Sequence, residues 1–119
     1  MFVIDHESAD NLLTMTLSGF WTPSQAERFA LDATQWLARL RTGGGKILTL
    51  CDASANQVPS VDVIARLNDV NAQLVQNAGD RMALIVGGSL AAMQARRMLL
   101  SDQSRLFVTV AEARAWLLA

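Results

Sequence analysis

A chain of 119 residues is long enough for one domain with a packed core and too short for two. With 51% apolar and 18% charged residues it is not a disordered segment. Its net charge of −1 leaves no electrostatic footprint for nucleic acid or an anionic membrane. The single cysteine, Cys51, excludes an intramolecular disulfide and suits a reducing cytoplasm. No apolar run approaches the ~20 residues of a transmembrane helix. The first residues, MFVIDHESADN, carry acids where a signal peptide needs a basic start, so a cytoplasmic location is expected.

In chain order, Phe2 to Ile4 reads as a short strand and HESADN as a polar turn. Leu12 to Phe20 alternates Leu13, Met15 and Leu17 with Thr14, Thr16 and Ser18, the pattern of a strand with one buried face. The two predict an antiparallel pair at a sheet edge. Thr22-Pro23-Ser24-Gln25 is a helix start with a capping box. Ala26, Phe29, Ala30, Ala33, Trp36, Leu37 and Leu40 then form one apolar stripe, ending at Gly43-Gly44-Gly45.

Ile47 to Cys51 is almost continuously apolar, as a central parallel strand requires. A loop is expected from Ala53 to Pro59. Ser60 can cap a helix running to about Asn77, with Ile64, Leu67, Val70, Asn71 and Leu74 on one face. Met82 to Val86 is a second buried strand. Ser89 caps a further helix to about Leu100, Arg105 to Val108 is the last strand, and Thr109 to Glu112 is a second capping box opening a helix to Leu118. The fold class is α/β in a single domain over 1–119. The sheet is four- to five-stranded and mostly parallel, with an antiparallel N-terminal edge strand and about four flanking helices.

Gly43-Gly44-Gly45-Lys46 is not a phosphate loop, because it follows a helix, precedes a strand and lacks the terminal Lys-Ser/Thr. Gly87-Gly88-Ser89 is better placed, between a strand and a helix N-terminus, where backbone N–H groups can meet an anion. The plainer reading is a tight turn and an N-cap. Asp52 lies just past the other central strand. If the two strands are parallel neighbours, Asp52 and Gly87-Gly88 share the sheet edge at which open α/β folds bind ligands and partners. Ser54 and Ser60 near the next helix start are weak candidate phosphoacceptors, against the plainer roles of loop serine and N-cap.

His6 is the sole histidine and is expected in solvent; with one cysteine it cannot build a usual zinc site, and no metal or cofactor is expected. Cys51 reads as core rather than nucleophile. Phe20-Trp21 is either an exposed aromatic platform or a hinge for the first helix. Arg96-Arg97 reads as a solvated helix face.

Three stretches carry a family resemblance: Gly19-Phe20-Trp21-Thr22, ILTLCDAS from Ile47 to Ser54, and above all LIVGGSLAAMQARRMLLSDQSRLFVTVAEARAWL from Leu84 onward. The chain resembles the SpoIIAA-like proteins of the STAS-type group found in bacteria. The resemblance implies a mostly parallel sheet flanked by helices and a non-catalytic regulatory role. Members of the wider family act as anti-sigma-factor antagonists, switched at a Ser or Thr in an Asp-Ser-Ser-Gly-Leu-like motif. Here Asp52 is followed by Ala53-Ser54-Ala55-Asn56, with no glycine and a longer loop before Ser60, so neither serine maps cleanly onto the phosphoacceptor.

The expected function is a regulatory protein-interaction module, with Asp52, Ser54, Ser60, Gly87, Gly88 and Ser89 as the contact surface and another protein as partner. The alternative is a binder of a small apolar or lipid-like ligand, by analogy with lipid-carrying relatives of that fold. An enzyme is disfavoured because no acid/base pair or nucleophile–base spacing is visible. A homodimer through an apolar helix face or Phe20-Trp21 is compatible with the sequence.

Overall fold

Thr22 starts the first helix as its sequence requires. Its hydroxyl accepts from Gln25 N–H at 3.2 Å, and Gln25 Oε1 accepts from Thr22 N–H at 3.4 Å. The computed structural model describes residues 1–56, 60–87 and 102–119. The elements are β1 (Phe2–Glu7), β2 (Leu12–Gly19), α1 (Pro23–Thr42), β3 (Leu48–Asn56), α2 (Val61–Leu74), β4 (Arg81–Val86), β5 (Ser104–Phe107) and α3 (Val110–Leu117). The helix expected from Ser89 to Leu100 lies outside the described residues, so three helices are seen among them rather than four.

The five strands lie in the order β1-β2-β3-β4-β5. β1 is antiparallel to β2, and every other pairing is parallel. Side-chain alternation along the strands divides the core into two layers. Leu13, Met15, Leu17, Cys51, Met82 and Leu84 face α1 and α2, which contribute Phe29, Ala33 and Leu37, and Leu67, Val70 and Leu74. The intervening residues Leu12, Leu48, Leu50, Ala83 and Ile85 meet Ala113 and Leu117 of α3 on the opposite face. The nearly continuous apolar run of β3 therefore serves both layers.

Several boundaries differ from expectation, each for a tertiary reason. β1 continues through His6 to Glu7. His6 is not in solvent: it is half-buried, its ring packed at a tilt against Trp36 with centroids 5.6 Å apart, and its Nε2 lies 2.9 Å from Asn11 Oδ1. Asn11 donates its Nδ2–H to Lys46 O at 2.8 Å, which leaves Oδ1 as the acceptor for a proton on His6 Nε2. β3 runs on to Asn56 where a loop from Ala53 was expected, because β2 continues beside it past a register shift between Thr16 and Ser18. α2 ends at Leu74 rather than near Asn77, since Asn77 N–H turns to Asp80 Oδ2 at 2.9 Å. Its buried stripe is Val63, Leu67, Val70 and Leu74, with Ile64 and Asn71 half-buried at its flank. Trp36 likewise sits half-buried at the margin of the α1 stripe. Only half of the second capping box forms: Thr109 Oγ1 accepts from Glu112 N–H at 3.2 Å, while its own hydroxyl donates to Glu112 Oε1.

At the amino ends of the parallel strands, Asp80 is buried and fully committed. Its Oδ1 accepts from Arg41 Nη1 at 3.1 Å and from Ile47 N–H at 2.8 Å; its Oδ2 accepts from Arg41 Nη2 at 2.8 Å and from Asn77 N–H. One carboxylate thereby ties the end of α1, the approach to β3 and the turn before β4.

Thr49, in the middle of β3, has no such partner. It is fully buried between Leu13 and Met82, and its Oγ1 meets no donor or acceptor among the described residues. An unpaired buried hydroxyl costs about 1–3 kcal/mol. Thr49→Val keeps the shape and removes that cost, so we expect unfolding free energy in urea to rise by about 1 kcal/mol.

Candidate functional site

The carboxyl ends of β2 to β5 share one rim of the sheet, because those strands are parallel. Asp52 pairs in register with Ile85 and Ala53 with Val86, so Asp52, Ser54 and Gly87 do meet at this edge. The approach is close. A Cβ on Gly87 would stand 2.5 Å from Ser54 O, a backbone atom that cannot swing aside. Glycine is thus the residue that lets the end of β4 lie against the end of β3. We expect Gly87→Ala to force the two strand ends apart and to cost about 1–3 kcal/mol in a denaturant titration.

Asp52 alternates with Cys51, placing its side chain on the α3 side of the sheet with Leu48 and Leu50. Its Oδ1 accepts from Ser54 N–H at 3.0 Å and from Ser54 Oγ–H at 2.6 Å. The carboxylate is therefore folded over its own strand end. A phosphate on Ser54 would face it directly and be repelled. Ser60 caps α2, its Oγ accepting from Val63 N–H at 3.4 Å. A phosphate there would meet the helix's positive end. Gly88 and Ser89 lie outside the described residues, as do Arg96 and Arg97.

The same rim carries large exposed apolar side chains on the connections that follow β2, β3 and β5. Phe20 after β2 is 62% exposed, Val61 at the start of α2 81%, and Val108 after β5 84%. The Phe20-Trp21 doublet splits its two expected roles. Phe20 stands in solvent, while Trp21 is 1% exposed and packs on Phe2 and Phe29 with centroids 5.9 and 5.4 Å away.

Burial, aided by the neighbouring Asp52 charge, pushes the Cys51 thiol up to about 12, which makes it a core residue and a poor nucleophile. Among the described residues no three of His, Cys, Asp and Glu converge to hold a metal ion. None of the described helices is long and apolar enough to cross a membrane.

Two grooves flank α1, one on the β1 side and one beside the rim, at the first turns of α1 and α2. One, of about 390 Å³, runs between β1 and α1 and is lined by Phe2, Ile4, Asp32, Gln35, Trp36 and Arg39. The other, of about 330 Å³, lies between α1 and α2, where Arg66 bridges Glu27 at 2.8 Å and Asp69 at 3.5 Å. Sequence reasoning missed the first groove; the signal that could have found it was Trp36, at the margin of an apolar stripe with Asp32, Gln35 and Arg39 beside it.

This architecture is a SpoIIAA-like fold. A solved structure from Shewanella loihica PV-4, an uncharacterised protein of the DUF3478 family described as having a SpoIIAA-like fold, is similar with a TM-score of 0.62. The two share 21% identity over 98% of this chain and 92% of the other, a likeness that establishes the fold and no more. Comparison with protein-family models found no match, and neither did comparison with curated proteins.

Proposed function

We propose that the chain is a non-catalytic regulatory module of the cytoplasm that binds another protein through the rim at the strand carboxyl ends. One observation carries the reading: Phe20, Val61 and Val108, all strongly exposed, line the edge that also presents Asp52, Ser54 and Gly87. Large apolar side chains exposed along one edge are what a protein contact covers. The resemblance to anti-sigma-factor antagonists points to the same edge. Of the two serines, Ser60 is the one whose modification the local charges favour, because Ser54 already spends its hydroxyl on Asp52.

A carrier of a small apolar ligand is less well supported. The α1–β1 and α1–α2 grooves are both rimmed by charged side chains, which an apolar ligand does not ask for.

The test is affinity capture from native extract, with mass spectrometry of retained proteins and small molecules. We expect a stoichiometric protein partner that is lost with Asp52→Arg and with Val108→Asp. Neither substitution removes a core contact, so cooperative unfolding should persist. A lipid or metabolite retained without any protein would overturn the reading.

A further inference from the structure

Among the described residues β1 is an open edge of the sheet, and its hydrogen-bonding phase can be read residue by residue. Met1 N donates to Ser18 O at 2.9 Å, and Ser18 N–H donates back to Met1 O at 3.0 Å. Bonded and unbonded pairs alternate along an antiparallel ladder. With the register running from Phe2↔Leu17 to Glu7↔Leu12, the backbone groups of Val3, Asp5 and Glu7 are spent on β2. Those of Phe2, Ile4 and His6 point outward.

The same three residues turn their side chains toward α1. Phe2 meets Phe29 at 5.4 Å and His6 meets Trp36 at 5.6 Å. Above Phe2 and Ile4 opens the 390 Å³ groove, walled by Trp36, on which Arg39 stacks at 5.4 Å. A strand laid along β1 would place alternate side chains in this groove and the others beside Val3, Asp5 and Glu7. Of the devices that blunt an edge, β1 has no proline, no lysine and no bulge in its ladder; its charges are the two acids Asp5 and Glu7.

Charge selects the occupant. Glu7 is paired with Arg114 at 3.1 Å. Asp5, exposed on the far face, and Asp32, at the groove's rim, have no ion pair or hydrogen bond among the described residues. A second copy of the chain fits poorly, because self-pairing centred on Ile4 or Asp5 sets the two Asp5 carboxylates diagonally or directly across from each other.

We propose that the β1 edge accepts an extended segment of another protein as an added strand. Apolar side chains of that segment enter the α1 groove and a Lys or Arg sits beside Asp5. This is strand addition, in which main-chain bonds supply affinity and alternate side chains supply selectivity. It uses a different side of the molecule from the rim at the strand carboxyl ends, so either site can fail without the other.

The experiment titrates the protein, followed by amide NMR, with two short peptides, one alternating Val and Lys and the other alternating Val and Glu. We expect the largest shifts at the amides of Phe2, Ile4 and His6, and roughly tenfold tighter binding of the Lys peptide at low salt. Asp5→Lys should invert that preference; the side chain is on the solvent face, so folding should be unaffected. Ile4→Pro removes an outward donor that β2 does not use and should abolish binding. Equal affinity for the two peptides, or shifts confined to other residues, would overturn the proposal. So would shifts at the same three amides that depend on protein concentration without peptide, since the occupant would then be a second copy.

Discussion

Asp80→Ala will lower the unfolding free energy by about 3–5 kcal/mol, the cost of breaking a buried ion pair by removing one partner. The carboxylate is 0% exposed and receives four hydrogen bonds, two from the Arg41 guanidinium and one each from the backbones of Ile47 and Asn77. Its loss strands a charge and two N–H groups at once. Against a typical domain stability of about 5–15 kcal/mol, this is a large share. Asp80→Asn keeps one acceptor and should cost less. Urea titration of the two variants checks the order; a cost for Asp80→Ala under about 1 kcal/mol would show the pair to be a surface-like bridge.

The same residue gives the protein an acid limit. Burial pushes the Asp80 carboxyl up, but the hydrogen bonds from Arg41, Ile47 and Asn77 and the charge of Arg41 push it down and prevail, so it lies below the ordinary value of 3.8. A carboxyl depressed in the folded state stabilises fully above its unfolded value. That contribution fades as pH falls through the lower, folded value. The midpoint of urea unfolding should therefore drop as pH falls below about 4, and the drop should be smaller in Asp80→Asn.

Trp21→Ala should cost about 3–5 kcal/mol, the range for deleting a large buried aromatic. Trp21 fills the junction between the end of β2 and α1, against Phe2 and Phe29, both of which also meet each other. Its indole N–H is nevertheless unpaired among the described residues. Trp21→Phe keeps a ring in the cluster and discards that donor, so its cost should stay under about 1.5 kcal/mol. If Trp21→Phe proved as damaging as Trp21→Ala, the ring-packing account of this junction would be wrong. The adjacent Phe20, in solvent, should tolerate Ala with little loss of stability, which separates its part in the rim from its neighbour's part in the core.

Much of the fold was legible in order along the chain. The Thr22–Gln25 box, the α1 stripe, the alternation of β2 and the apolar runs of β3 and β4 are all local patterns, decided by spacings of two, three or four residues. Even the meeting of Asp52 with Gly87 followed from strand type once β3 and β4 were neighbours. What the glycine is needed for was not legible, since it depends on the position of Ser54 O on another strand.

Local patterns along the chain specify an α/β domain with an antiparallel start, because hydrophobic period and helix caps report only on the residues around them. The remainder rests on contacts between distant segments. Asp80 found Arg41 across 39 residues; His6, expected in solvent, came to rest between Asn11 and Trp36. The outward phase of β1 depended on which atoms Ser18 and Met1 exchanged. Each of these is a choice of partner between distant segments, made by strand order and register, and no spacing along the chain encodes it.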